Sequence, residues 1–209
     1  MLIRETIFEQ EIILETGDYY FSPKGIDKGT LFMLSKVQPA EEDKVLELGC
    51  GYGVAGIAVA KEIGGERVVT SDISEEALAL TNANLERNDL TGVRVIKSDG
   101  LKEIPDRDFT LILSNPPYHA DFSVAKAFIE EGYKHLVFGG RLMMVTKRFT
   151  WYRNKLATVF GGVKVFEQDG YYVFVAEKRK VTRINKKKEK QKLSKKLERR
   201  YGSVREVVQ

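Results

Sequence analysis

Short apolar runs alternate with helical spacing through the middle of the chain. Val45–Leu48, Val68–Ser71, Val93–Ile96, Phe109–Leu113 and Leu142–Val145 are four or five residues long and mostly apolar without clean alternation. That is the pattern of strands buried on both faces of a sheet. Helical spacing fills about 54–63, 75–88 and 123–137 between them. Strands alternating with helices build a parallel sheet from βαβ units. The rhythm changes after residue 160. Val163–Phe166 and Tyr171–Val175 flank Glu167-Gln168-Asp169-Gly170, and Asp-Gly between two such runs predicts a tight hairpin, since the turn needs positive φ. The expected fold is therefore α/β: a mostly parallel seven-stranded sheet that finishes with an antiparallel pair.

Both ends of the chain depart from this pattern. Residues 1–22 read as extended, and Glu11–Leu14 and Tyr19–Phe21 around Thr16-Gly17-Asp18 predict an N-terminal hairpin. Gly29-Thr30 leads into a helix at about 30–37, stopped near Pro39. At the other end, Leu193, Leu197, Tyr201, Val204 and Val208 form a narrow helical stripe in a segment otherwise rich in Lys and Arg. Three segments follow: 1–38 as an N-terminal hairpin and helix, 39–177 as the α/β domain, and 178–209 as a basic helical tail.

Charge sharpens that division. The 209 residues carry a net +4, but 178–200 hold thirteen Lys and Arg against two Glu. That segment is +11 and 201–209 are neutral, so the body before them carries −7. An acidic body with a basic tail points to nucleic acid or an anionic surface as partner, although charge runs also occur as solvated surface. The hydrophobic share of 43% excludes global disorder. Cys50 is the only cysteine, which excludes an intrachain disulfide and a multi-cysteine zinc site; with only His119 and His135 besides, no metal is expected. No run approaches 18 apolar residues, so no membrane span is expected. The first 17 residues are too acidic and interrupted for a signal peptide, and the cytoplasm is the expected location.

The first predicted strand runs into Glu47-Leu48-Gly49-Cys50-Gly51-Tyr52-Gly53, and a helix follows. Glycines there let the backbone turn tightly and approach a ligand. Gly51-x-Gly53-x-x-Gly56 fits the dinucleotide pattern. Gly49-x-Gly51-x-Gly53 preceded by Glu47 instead resembles the first motif of S-adenosylmethionine-dependent methyltransferases. A pyrophosphate avoids a carboxylate at the strand end, whereas the amino group and sulfonium of S-adenosylmethionine are cationic, so Glu47 favours the methyl donor. Asp72 closes the second strand where an acid bonds ribose hydroxyls, which both cofactors possess. Ser74, Glu75 and Glu76 then start a helix. Asp99 closes the third strand before Gly100, where it serves either as acceptor for an adenine amino group or as a turn residue. All three acids fall at strand carboxyl ends, where ligands bind in open α/β sheets.

Asn115-Pro116-Pro117-Tyr118 follows the fourth strand. The prolines fix φ and remove two donors, and Asn115 is pushed toward an extended conformation. The result is a rigid loop with an amide, bare carbonyls and an aromatic face, suited to a planar amine. The Asn115 oxygen and the Pro116 carbonyl accept its two hydrogens while Tyr118 stacks on the attached ring. With the glycine loop, this tetrapeptide resembles class I methyltransferases acting on nitrogen. More closely, the chain resembles the small-domain methyltransferase family that includes small-subunit ribosomal RNA guanine-N2 enzymes of the RsmC type. The likeness covers about residues 10–177 and includes Phe21–Thr30, a segment such enzymes place over the cofactor, and Phe138–Leu142. It implies a Rossmann-like class I methyltransferase fold and S-adenosyl-L-methionine as cofactor. It implies cofactor contacts by Glu47, Gly49, Gly51, Gly53, Asp72, Ile73, Asp99 and Gly100, with Lys28 and Thr30 from the N-terminal segment. It implies a catalytic loop of Asn115, Pro116, Pro117 and Tyr118, and ribosomal RNA as substrate; the tail lies beyond the likeness, and its charge alone points to residues 178–200 as the contact to the RNA backbone. Relatives with the same tetrapeptide methylate adenine N6 or a protein glutamine. A nicotinamide-dependent oxidoreductase leaves Glu47 and Asn115–Tyr118 unexplained, and a non-catalytic RNA-binding module accounts for the tail alone.

Smaller signals remain. His119 reads as a polar loop residue or a substrate contact, His135 as structural, and Cys50 as a small packing residue. Trp151, Tyr152 and Arg153, near the end of the fifth strand, read equally as base-stacking or as packing residues.

Overall fold

The computed structural model describes residues 1–17, 25–116 and 122–180. The chain divides into a compact unit, Met1–Arg179, and a second unit from Lys180 onward; apart from Lys180 itself, the second unit, with the predicted tail helix, lies outside the described residues.

The N-terminal hairpin pairs β1 (Leu2–Ile7) with β2 (Gln10–Glu15). Then come α1 (Lys28–Leu34), β3 (Val45–Leu48), α2 (Val54–Ile63), β4 (Val68–Asp72), α3 (Glu75–Arg87) and β5 (Arg94–Lys97). β6 (Phe109–Ser114), α4 (Phe122–His135), β7 (Leu136–Thr146), α5 (Phe149–Phe160), β8 (Lys164–Gln168) and β9 (Tyr171–Glu177) complete the unit. The large sheet has seven strands in the order β5-β4-β3-β6-β7-β9-β8. Its first five are parallel, and β9 and β8 add antiparallel. This is the predicted architecture, down to the Asp169-Gly170 turn, where both residues have positive φ.

Successive side chains of the central strands point to opposite faces, so the sheet has two cores. Val45, Val68, Leu111, Leu113 and Val145 pack with α1, α2, Leu85 of α3 and the hairpin. Leu46, Leu48, Val69, Ile112 and Met144 pack with α4 and α5. The strand order reverses between β3 and β6, which places a topological switch point, and hence a crevice, at their carboxyl ends. Ser114 Oγ donates to Leu48 O at 2.8 Å across that crevice.

Three expectations need correction. The hairpin turns at Phe8-Glu9, both with positive φ, not at Thr16-Gly17-Asp18. That register puts Ile7, Ile12 and Leu14 into the core, and burial outweighs the strain of two non-glycine residues in the turn. Tyr19–Phe21 lie outside the described residues. β7 begins at Leu136, inside the expected end of α4, because a register shift between Phe109 and Leu111 absorbs residues 137–140. Helix α5 was absent from the predicted elements; its buried stripe is Tyr152, Leu156 and Phe160, at spacings of four.

The hairpin is fastened to the helix layer by two asparagines. The Ile13 and Glu15 amides donate to Asn88 Oδ1 and Asn84 Oδ1 at 2.9 and 2.6 Å. The Asn88 and Asn84 amide groups donate back to the Ile13 and Glu15 carbonyls at 2.7 and 2.9 Å. Asn84 Nδ2 also donates to Tyr52 O at 2.9 Å, tying the hairpin to the glycine loop.

Candidate functional site

A cavity of about 370 Å³ opens at the switch point, within the size range of small-molecule sites. Its floor is the glycine loop. The Gly49 and Cys50 amides both donate to Ser71 O at 2.9 Å, which folds the loop over the end of β4. Gly51 has a φ of 57° with nothing within 4 Å of the position a Cβ would take, so its backbone faces open space in the cavity.

Glu47 occupies a β3 position on the α2 face, where its neighbours are apolar, and it is buried. Its carboxylate accepts from the Ala55 and Gly56 amides at 3.0 and 2.9 Å. It thereby satisfies two of the donors left open in the first turn of α2, whose N-cap, Gly53, has no side chain to do so. Burial pushes the Glu47 carboxyl up to about 7, against the two amide bonds, which lower it. Asp72 is braced in turn: Oδ2 accepts from the Gly51 amide and Oδ1 from the Ser74 amide, each at 3.0 Å. A carboxylate has lone pairs to spare after two such bonds, and Asp72 lines the cavity. Asp99 is exposed and paired with Lys102 at the cavity rim. With Asp27, four carboxylates line the cavity, and no lysine or arginine does among the described residues. Such a lining favours a cation and disfavours a pyrophosphate.

Ile73, 64% exposed, offers an apolar face at the same cavity, as do Val124 and Phe128 of α4. A Cβ on Gly100 would lie 3.5 Å from the Phe128 ring. The residues present suit a ligand that combines positive charge, a diol and a flat apolar ring.

Asn115 stands at the cavity edge after β6. Its Nδ2 donates to Asp27 Oδ1 at 2.9 Å and to Thr30 Oγ1 at 2.8 Å. Its Oδ1 is buried and has no hydrogen-bond partner among the described residues. A buried acceptor left unpaired is costly, and its presence at a cavity marks where a donor belongs.

Of the sequence-derived site residues, Glu47, Gly49, Gly51, Asp72, Ile73, Asp99, Gly100, Thr30 and Asn115 come together around the cavity. Lys28, Gly53 and Pro116 do not line it. Lys28 is exposed; helical spacing puts Asp27 and Thr30, three residues apart, on the cavity side instead. Gly53 shapes the turn into α2 with a φ of 86°. Pro117, Tyr118 and His119 lie outside the described residues. Asp27, Tyr52, Val124 and Phe128 were not singled out from the sequence. For Asp27 a signal existed: an acid three residues before Thr30, a helix-start pattern. Burial pushes the Tyr52 hydroxyl up to about 12, with Asp27 and Glu47 adding to the effect.

The smaller signals settle simply. Cys50 Sγ lies 3.5 Å from Thr81 Oγ1, and burial raises its thiol well above the ordinary value. His135 Nδ1 is 2.7 Å from Asp106 O in a buried position, and burial lowers its basicity. Trp151 stacks on Phe122 with centroids 4.4 Å apart, and Tyr152 stacks on Phe174 in the core. Gly56 of the dinucleotide-like pattern serves packing: a Cβ there would lie 2.4 Å from Thr70 Cγ2. Among the described residues no group of three or more His, Cys, Asp or Glu is placed to hold a metal, and no helix is long and apolar enough to cross a membrane.

Fold and site together define a methyltransferase-type architecture, and residues 11–175 match the methyltransferase small domain family, to which the chain belongs. Among particular relatives, it is 34% identical over 166 residues to the ribosomal RNA small subunit methyltransferase C of Cronobacter sakazakii, covering 78% of this chain and 48% of that protein. It is 32% identical over 164 residues to the uncharacterized protein YbxB of Bacillus subtilis, covering 76% of this chain and 82% of that one. Among solved structures, the T. thermophilus 16S rRNA N2 G1207 methyltransferase RsmC, in complex with AdoMet and guanosine, superposes with a TM-score of 0.78 at 26% identity, covering 86% of this chain and 50% of that one. The chain thus spans about half the length of the methyltransferase C relatives it matches.

Proposed function

We propose that this chain is an S-adenosylmethionine-dependent N-methyltransferase acting on an exocyclic amine of RNA, with guanine N2 of small-subunit ribosomal RNA as the target. The observation that carries the reading is the unpartnered, buried Asn115 Oδ1 at the edge of a cavity lined by four carboxylates. The named activities of the methyltransferase C relatives, and the AdoMet and guanosine bound by the T. thermophilus enzyme, support it.

When bound, S-adenosylmethionine supplies an electrophilic methyl carbon. The residues of this chain bind and orient. Glu47 and Asp72 offer negative charge and acceptors for the amino group and ribose hydroxyls, Asp99 an acceptor at the rim, and Ile73 and Phe128 apolar surface for the base. Asn115 Oδ1 accepts one hydrogen of the target amine, and the carbonyl of Pro116, next along the loop though not among the cavity-lining residues, accepts the other. This turns its nitrogen lone pair toward the methyl carbon for direct in-line transfer, and the gain is one of orientation. Tyr118 stacks on the target base, which must leave its helix to enter. No covalent enzyme intermediate is needed, and the displaced amine proton passes to water.

The test is incubation with radiolabelled methyl donor and, separately, small ribosomal subunits lacking the modification, naked RNA, DNA and protein. Label on guanine N2 of the ribosomal RNA is expected. Label confined to adenine N6 or to protein glutamine would move the substrate, and binding of NAD without S-adenosylmethionine would overturn the reading.

Two expectations attach to it. First, cofactor affinity depends on pH through Glu47. Its carboxyl is raised in the folded chain from the ordinary 4.5 to about 7, so between those values the folded protein holds a proton that the unfolded chain has lost. Its contribution to stability is present below pH 4.5 and is lost as pH rises through 7. A cationic ligand favours the carboxylate, so binding expels that proton. Affinity is expected to rise by up to about 100-fold from pH 5 to 8. Calorimetry in buffers of different ionisation enthalpy reads the proton directly; pH-independent affinity without proton release would contradict it. Second, the basic segment holds the RNA backbone. A chain ending at Arg179 keeps the compact unit and is expected to bind S-adenosylmethionine unchanged while losing about 100-fold in RNA affinity at low salt, with a shallower salt dependence. Unchanged RNA binding would make the tail a solvated appendage.

A further inference from the structure

We propose that Asp27 is a positioning residue: its carboxylate sets which way the Asn115 amide points and so keeps Asn115 Oδ1 aimed at the substrate amine. The inference deepens the function proposed above and rests on it for the identity of the amine.

An asparagine amide has a donor end and an acceptor end of nearly the same shape. A site that needs the acceptor must forbid the flipped state. Here the partners of Asn115 Nδ2 are Asp27 Oδ1 at 2.9 Å and Thr30 Oγ1 at 2.8 Å. An ionised carboxylate only accepts, so flipping Asn115 would set its carbonyl oxygen against negative charge and aim its NH2 at the place where the amine must donate. The unflipped state leaves Oδ1 buried without a partner among the described residues, on a side chain whose residue lines the cavity.

Asp27 is itself held in place by further bonds. Oδ1 also accepts from the Thr30 amide at 3.1 Å, as the N-cap of α1. Oδ2 accepts from the Tyr171 hydroxyl of β9 at 3.3 Å. Tyr171 reaches it because residue 29 is glycine: a Cβ there would lie 2.6 Å from the Tyr171 ring. The bland account, that Asp27 only caps α1, explains the Thr30 amide bond. It leaves the bond to Asn115, 88 residues away, as an accident.

Serine caps a helix as well as aspartate does but is too short to reach Asn115. Asparagine keeps an acceptor at the Oδ1 position. Asp27→Ser is therefore expected to slow single-turnover methyl transfer to small ribosomal subunits lacking the modification by about 30-fold. Thermal midpoint is retained, and S-adenosylmethionine affinity falls by about threefold, the effect of removing one of the four cavity carboxylates, far less than the rate. Asp27→Asn is expected to recover most of the rate. NMR of the ¹⁵N-labelled protein adds a readout independent of turnover: the Asn115 side-chain NH2 signals, identified by their loss in Asn115→Ala, are expected to shift in Asp27→Ser. A serine variant within about twofold of the parent, parallel loss of rate and cofactor affinity, equal damage by serine and asparagine, or unmoved Asn115 signals would each overturn the proposal. Should Asp27→Ser fail to fold, Thr30→Val, which removes the other acceptor and leaves the cap, is expected to shift the same signals and slow transfer about fivefold; no effect would overturn it. If the parent methylates no substrate, the functional reading fails, and the NMR comparison still decides the role of Asp27.

Discussion

Asn115→Ala is expected to lower the rate of methyl transfer about 1000-fold while S-adenosylmethionine affinity changes by no more than about twofold. The asymmetry follows from where the side chain sits. Asn115 lines the cavity, and its Oδ1 is a buried acceptor without a partner among the described residues. Alanine removes the group that fixes one of the two amine hydrogens, so the nitrogen samples orientations unproductive for in-line attack. It also frees Asp27 Oδ1 and Thr30 Oγ1 from a donor, which costs stability of about 1 kcal/mol but leaves Glu47, Asp72 and Ile73 in place. Single-turnover kinetics with saturating RNA, alongside calorimetry for the cofactor, separates the two effects. A rate within a few-fold of the parent would mean that the amine is held elsewhere. Equal loss of cofactor binding would mean that Asn115 belongs to the cofactor site and not to the acceptor site.

Gly56→Ala is expected to destabilise the chain by about 2–4 kcal/mol and to weaken S-adenosylmethionine binding at least about tenfold. The added Cβ would lie 2.4 Å from Thr70 Cγ2 and 2.8 Å from Glu47 Oε2. Thr70 is fully buried in β4, so it has nowhere to go. Either α2 lifts from the sheet or the Glu47 carboxylate swings away from the Ala55 and Gly56 amides. The first choice opens the core and the second uncaps the helix under the glycine loop; both deform the cavity floor. For a domain of this size the loss corresponds to about 6–12 °C in thermal midpoint. An unchanged midpoint would show that the helix–strand contact is looser than its geometry implies.

Much of the fold was legible because the central strands are buried on both faces and their ends are marked by glycine or acid. Val54–Ile63 coincides with its predicted bounds, since Gly53 and Gly64 punctuate it on either side. The turn at Phe8-Glu9 was hidden because nothing in that dipeptide prefers positive φ; the register of Ile7, Ile12 and Leu14 against the core imposes it. Helix α5 was obscured by Phe149, Trp151 and Tyr152, aromatics that read as readily in strands or loops. At the site, the acids at strand ends could be found because a parallel sheet brings strand ends together. Phe128 could not, because its place depends on how α4 docks, and Asp27, although it carries a helix-start pattern, reaches the cavity only through the docking of α1, which no local spacing records. The meaning of Glu47 also changed. Negative charge near a cation was the reason to notice it, and the structure adds a second task, capping α2 through two amides.

The pairing of Asn84 and Asn88 with β2 has a consequence for how the protein behaves in a crowded solution. An edge strand with open amides and carbonyls is a template for a strand from another molecule, and a two-stranded hairpin is the sort of element that spreads or exchanges. Here the Ile13 and Glu15 backbone groups on the outer edge of β2 already meet side-chain amides that imitate a neighbouring strand. The helix thus finishes the small sheet on that side without lending it a strand. Those four groups are closed to intermolecular β-pairing by two residues one helical turn apart.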